Sequence, residues 1–482
     1  MRKTQDTPEL KGRIRQAYGW TFAGNTIRYF GGFAISVTLA RLLQTKDYGL
    51  IGMVLVFLSM LAAFQDLGVG MAVVRLDEDD TAIPTFFTAS ALFGLFLTVV
   101  VVFCAPAIAD FYKEPELTLL LRVLAITIAS TSICGISQAL LTKRLQFKPL
   151  ALIEMTSSLC AGCIAVGLAF FGMGVWSLVV NLLLFSFFQC AGCFYMVPPR
   201  FTLHPDRGVM RRVLDFGAPT TASNLLHQFY DNSDSMLIGR MIGPEALGIY
   251  GQAFRLATLV HERIGVLVNR VAFPSFAAVK ETPELVIEHW FGISRVMSLI
   301  NVPLLSFLFV NANDLILLVY GKKWLPAVVP LRFLCLVGVL RSLVMVIIHI
   351  YNALGKANLR LRFTLANFVL LPSAFAIGCK LDGIRGVGIA WCIVYPAIWL
   401  LALFMVRTFL RFSFAAYFKS LRLPALTGLL CVVFVSATPG LPGLLPRLML
   451  RGAVWSVVTA ACLLSSSDIR DAAMKLLRRR LA

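Results

Sequence analysis

The chain has 482 residues, 58% of them hydrophobic and 14% charged, with a formal net charge of +19. Soluble globular chains are about 45–50% apolar and about 25% charged, so a soluble enzyme or binding module is excluded. A mean hydropathy of +0.81 fits a polytopic helical membrane protein instead.

The opening MRKTQDTPELKGRIRQ (1–16) is basic and runs into a long apolar span, unlike the short apolar region and small-residue cleavage site of a signal peptide. It reads as a cytoplasmic N-terminal segment. A helix needs about 20 apolar residues to cross a bilayer. On that measure spans are predicted at 17–43, 48–74, 82–109, 117–141, 149–171, 174–197, 214–242, 246–275, 286–310, 324–352, 360–379, 384–406, 422–438 and 447–466. The fold class is therefore an all-α polytopic membrane protein of about 14 transmembrane helices.

Basic residues sort to one side of this arrangement. Arg2, Lys3, Lys11, Arg13 and Arg15 share a side with Lys143, Arg144 and Lys148, with Arg207, Arg211 and Arg212, and with the tail Arg478, Arg479 and Arg480. The opposite connections hold Lys46, Lys113, Lys322 and Lys323 and little else. Positive charge collects in the cytoplasm, so both termini are expected there. Orientation, rather than nucleic-acid binding, accounts for the basicity. The acidic turn RLDEDD (75–80) is the exception to the pattern.

A shift of 199 residues lays 23–52 on 222–251. Ala23, Asn25, Phe30, Ser36, Arg41, Gly49 and Gly52 meet identical residues at Ala222, Asn224, Phe229, Ser235, Arg240, Gly248 and Gly251, and Arg28 meets His227. Gly174-Val175 has a looser echo in Gly386-Val387. The copies begin six spans apart, so they run in the same direction, as two halves related by an axis along the membrane normal do. The expected organisation is a six-helix lobe at 17–197, a cytoplasmic linker at 198–213, a second six-helix lobe at 214–410, helices 13–14 at 411–466 and a basic cytoplasmic tail at 467–482. The lobes are expected to surround a central cavity.

No GxxxxGK[ST], HExxH or GxSxG motif occurs and every loop is short, so no catalytic residue, metal site or cofactor is expected. Cys160-Ala-Gly-Cys163 and Cys190-Ala-Gly-Cys193 have a zinc-like spacing. Their predicted depths differ, however, and Cys, Ala and Gly also form a small-residue face on which helices approach closely.

Ionisable residues inside spans usually face a bundle interior or a wet cavity. Here they are Arg28, Asp66, Glu154, His227, Asp231, Asp234, Arg255, His261, Glu262, Arg263, Arg270, Arg295, Arg341 and His349. Asn224, His227, Asp231 and Asp234 follow i, i+3, i+7, i+10 spacing, which puts them on one helix face. Arg28, Arg255, Arg270, Arg295, Arg341 and His349, with Asn25 and Asn224, are the candidate translocation pathway for an anionic cargo, because Arg binds phosphate and carboxylate in bidentate fashion. Asp231, Asp234, His227 and Asp66 are candidates for coupling to a proton or sodium gradient. The competing assignment for any one of these groups is a structural ion pair.

LARLLQTKDYGLIGMVLVF (39–57), FQDLGVGMAVVR (64–75), NSDSMLIGRMIGPEALGIYGQAFRL (232–256), PSF (274–276) and YNALGKANL (351–359) together resemble the polysaccharide transporter family. That family holds the O-antigen and colanic-acid type flippases, within the superfamily that includes multidrug and toxin extrusion transporters. Asp234 falls on the family's patterned Asp. The resemblance implies movement of undecaprenyl-diphosphate-linked oligosaccharide across the bacterial inner membrane by alternating access. It implies membrane lipid and polysaccharide-assembly proteins as partners, and a monomeric transporter rather than an enzyme. Two alternatives remain. A cation-coupled multidrug exporter should have an acidic, aromatic pocket, whereas Arg outnumbers carboxylates here. A membrane glycosyltransferase, polymerase or ligase usually needs a sizeable outer loop.

Overall fold

In a computed structural model of the chain, residues 28–66, 82–202, 206, 208 and 225–465 are described. Among these residues there is no strand. The helices are α1 (28–42), α2 (Thr45–Asp66), α3 (Ala82–Tyr112), α4 (Glu116–Lys143), α5 (Phe147–Phe170) and α6 (Val175–Met196), then α7 (225–231). They continue with α8 (Ser233–Met241), α9 (Pro244–Ala278), α10 (Pro283–Val310), α11 (Ala312–Val319), a 3-10 turn (Lys322–Ala327), α12 (Val328–Ala353), α13 (Ala357–Arg407), α14 (Phe414–Ser436) and α15 (Leu444–Ser465).

Ten of the described helices are long and apolar enough to cross a membrane. The 51 residues of α13 count once among them, yet at 1.5 Å per residue they run to about 75 Å, far beyond a ~30 Å hydrocarbon core. The chain turns back at Asp382 (φ −150°, ψ 35°) and Gly383 (φ 52°, ψ −131°), so α13 is two arms. The arms meet where Gly378 and Gly386 each present bare backbone to the other's carbonyl. A side chain at either position would collide with main chain, which is why small residues bracket this turn. Gly174, just before α6, has φ 51° and ψ −131°. Its conformational counterpart is thus Gly383, rather than the Gly386 that the sequence echo selects.

The chain divides into two compact units, Met1–Gly248 and Ile249–Ala482. In the first, α3 packs on α4, α5 on α6, and α4 on α6. In the second, α10 packs on α12 and α14, α12 on α13, and α14 on α15. The expected linker at 198–213 and the RLDEDD turn lie largely or wholly outside the described residues, as do the basic tail and Asn25 and Asn224.

The 199-residue shift maps helix ends onto helix ends. α1 stops at 42 and α2 starts at Thr45; α8 stops at Met241 and α9 starts at Pro244. The closing hydrogen bonds correspond as well: Leu43 N donates to Leu39 O and Ile242 N to Ile238 O, both at 2.9 Å. The two restarts use different chemistry. Asp47 accepts the Gln44 N–H at 2.8 Å, the return half of a capping box. The second copy instead has Pro244 at the first helical position, where a missing N–H costs nothing.

Candidate functional site

The copies diverge where the carboxylates sit. α1 is continuous through Phe33, whereas its counterpart is interrupted at Asn232 between α7 and α8. The cause is local. The Asn232 side-chain amide donates to Gln228 O at 2.8 Å, the same carbonyl that accepts the Asn232 backbone N–H at 3.1 Å. Such side-chain competition for a backbone acceptor distorts a helix. Asp231 and Asp234 flank this break, at the positions that Gly32 and Ile35 hold in the first copy.

The expected single face is therefore graded rather than uniform. His227 is exposed and stacks on Tyr230, with ring centroids 5.0 Å apart. Asp231 is half-buried, and Asp234 is buried, with Ser235 N–H donating to its Oδ1. Further along α8, Arg240 lies over the Phe111 ring at 5.3 Å.

Arg28 is not an isolated cation. Its Nη1 donates to Glu154 Oε2 on α5, both side chains being 25% exposed, and its guanidinium lies over the Tyr29 ring at 5.1 Å. The two CxxC pairs do not come together. Cys160 and Cys163 are exposed, while Cys190 and Cys193 are buried against Cys134 of α4. The glycine of each pair receives a large side chain, Ile35 at Gly162 and Ile153 at Gly192, as a small-residue face does.

In the second unit Arg341 of α12 is held between two rings, with Phe254 at 5.3 Å and Trp391 at 5.2 Å. The frame is itself fixed. Trp391 is buried, its indole N–H donates to Tyr250 OH at 2.9 Å, and Phe375 packs 4.8 Å away. Cation–π contacts with a partly desolvated guanidinium are worth about 1–2 kcal/mol. His349, eight residues further along α12, buries its Nε2 without a partner among the described residues.

Arg295 has a structural task. Pro424 within α14 supplies no N–H to the carbonyl four residues earlier. Arg295 Nε donates to that Ser420 carbonyl at 3.3 Å. Arg255 is exposed on α9. Burial raises the Tyr320 phenol pKa, and the Arg255 charge pulls it back down. The side chains of Asp66, His261, Glu262, Arg263 and Arg270 lie outside the described residues.

One polar cluster escaped a reading based on spans. Asp314 of α11 is buried and accepts from Arg447 Nη1 at 3.4 Å and Arg451 Nη1 at 3.0 Å, both on α15. Arg451 also donates to Asn311 Oδ1 at 3.2 Å and Thr438 Oγ1 at 3.2 Å.

Residues 38–329 match the polysaccharide biosynthesis protein family. Over 367 residues, 75% of each chain, there is 30% identity to the teichuronic acid biosynthesis protein TuaB of Bacillus subtilis (strain 168). Over 416 residues, 84% of this chain and 83% of the other, there is 26% identity to the lipopolysaccharide biosynthesis protein WzxC of Escherichia coli (strain K12). The succinoglycan biosynthesis transport protein ExoT of Rhizobium meliloti (strain 1021) is 24% identical over 92% of this chain and 87% of its own. Among solved structures the fold is shared with lipid II flippase MurJ in an inward closed conformation (TM-score 0.74, 15% identity, 94% and 99% coverage). It is also shared with an inward-facing multidrug transporter of the MATE family (TM-score 0.67, 17% identity, 81% and 96% coverage).

Proposed function

The chain belongs to the polysaccharide biosynthesis protein family, and on that premise we propose that it is a flippase for undecaprenyl-diphosphate-linked oligosaccharide. It works by alternating access in a bacterial inner membrane, as a single chain with both termini in the cytoplasm. The observation that carries this reading is the agreement of relatives and fold. Relatives named for surface-polysaccharide biosynthesis, one of them a transport protein, combine with a helical architecture also found in a lipid II flippase.

The physical need is plain, since a diphosphate and its sugar hydroxyls cannot enter hydrocarbon without replacement partners. Arg341, oriented by Phe254 and Trp391, supports an anionic cargo, and Arg28, Arg255, Arg270, Arg295, His349, Asn25 and Asn224 complete the proposed path. Asp234, with Asp231, His227 and Asp66, couples transport to a proton or sodium gradient. The same excess of intramembrane Arg over carboxylate disfavours a multidrug exporter of cationic compounds. Proteins of polysaccharide assembly act on either side of the transport step.

Deletion of the gene tests the reading. Lipid-linked oligosaccharide should accumulate on the cytoplasmic face and surface polysaccharide should fall. Arg341→Ala should reproduce the defect at normal membrane levels, with Arg341→Lys intermediate, because Lys keeps the charge but not the bidentate fork. Unchanged surface polysaccharide in a deletion strain lacking any second flippase would refute it.

A further inference from the structure

One buried face of α10 is polar where a membrane interior should be apolar. Along α10, Trp290, Ser294, Ser298 and Asn301 recur at i, i+4, i+8 and i+11, one face of the helix. Trp290, Ser294 and Asn301 are 0% exposed and Ser298 is 2% exposed. Tyr417 of α14, also fully buried, stacks on Trp290 with ring centroids 4.8 Å apart. Ser294 and the Trp399 indole come close to the Tyr417 hydroxyl without closing hydrogen bonds of ordinary geometry.

Fifteen buried side-chain polar atoms have no protein partner among the described residues. Seven of them belong to this face and the aromatic side chains beside it: Trp290 Nε1, Ser294 Oγ, Ser298 Oγ, both amide atoms of Asn301, Trp399 Nε1 of α13 and Tyr417 OH of α14. Buried polar groups in folded proteins are nearly always satisfied, by protein or by ordered water. A concentration of this kind marks a place that ordered water can complete.

We propose that this polar face of α10 is an internal water-binding site, with ordered water bridging Tyr417, Ser294, Ser298 and Asn301. A buried water needs two to four polar partners, and the spacing of these groups along one face supplies them in sequence. The donor set selects water over a metal cation. Among the described residues no carboxylate belongs to it, and the Arg295 guanidinium flanks it through Ser420.

Hydroxyl-radical footprinting of the full chain in nanodiscs decides the matter, because radicals formed from bound water modify the side chains beside it. Trp290 and Tyr417 should be labelled several-fold faster than Trp324 and Trp391, which are equally buried but on other helices. Asn301→Leu should reduce that labelling, and Ser298→Ala serves the same purpose if the leucine variant does not fold. Labelling of wild-type Trp290 and Tyr417 no faster than Trp324 would overturn the proposal. So would labelling that neither folded variant changes.

Discussion

Gly49 and Gly248, 199 residues apart, make reciprocal contacts. A Cβ on Gly49 would strike the Pro244 carbonyl, and a Cβ on Gly248 would strike the Thr45 carbonyl. Thr45 and Pro244 are themselves 199 residues apart, so the start of α2 and the start of α9 cross backbone to backbone with each copy's glycine receiving the other copy's first turn. Thr45 Oγ1 adds a hydrogen bond to Glu245 Oε1 at 3.3 Å at this crossing. The repeat is thus preserved in how the two copies touch, beyond the likeness of their sequences.

The crossing predicts a steep penalty for one methyl group. Gly49→Ala or Gly248→Ala forces main chain apart and should cost about 1–3 kcal/mol or more, in the manner of an overpacked core. Gly251→Ala is the matched control. Nothing lies within 4 Å of its Cβ, and Ala is a better helix former by about 1 kcal/mol. Thermal unfolding in detergent should place the two crossing variants well below wild type and Gly251→Ala at or above it. Equal melting temperatures for all three would show that the crossing is not close-packed.

The sequence was a good guide to the fold because hydrophobic length and small-residue repeats act locally. Every predicted span has a helix among the described residues, and the Gly49/Gly248 register was visible as an identity before its contact was. Side-chain partners were much less legible, since pairing is a tertiary property. Nothing in sequence ties Arg28 to Glu154, 126 residues away, or Arg295 to a carbonyl freed by Pro424. Following charge alone also passed over Ser294, Ser298 and Asn301, although their i, i+4, i+7 spacing inside an apolar run is a readable signal. The break at Asn232 was hidden too, because it arises from one amide competing for one carbonyl.

The Asp314 cluster predicts how α15 is held. None of its residues is buried, so apolar packing alone fastens it weakly. Its attachments include Arg447 and Arg451 on Asp314 and the Trp455 indole on the Pro303 carbonyl at 2.8 Å. Asp314→Asn leaves two guanidiniums without their counter-charge. The loss should be about 2 kcal/mol, below the ~3–5 kcal/mol of a fully buried pair because both arginines reach solvent. Limited proteolysis should cut the 437–443 connection faster in this variant, while the melting of the remaining helices changes little. Unaltered cleavage would mean that lipid, rather than the ion pairs, holds α15 in place.

Asp234 tests whether the carboxylates serve transport or only architecture. Gly32 and Ile35 show that the repeat needs no acid at either position, and the helix break beside the acids is confined to the same copy. Asp231 is half-buried whereas Asp234 is 1% exposed. A buried carboxylate stays charged only with compensation, so Asp234 is the acid at which a role in coupling is best tested. Asp234→Asn keeps the shape and most of the hydrogen-bonding capacity but removes the charge. Transport measured in vesicles should then lose its response to imposed pH or sodium gradients, while downhill exchange of substrate persists. Asp231→Asn should leave the gradient response largely intact. If wild-type transport responds to a gradient and Asp234→Asn responds equally, the acid belongs to the architecture of α8 and not to coupling.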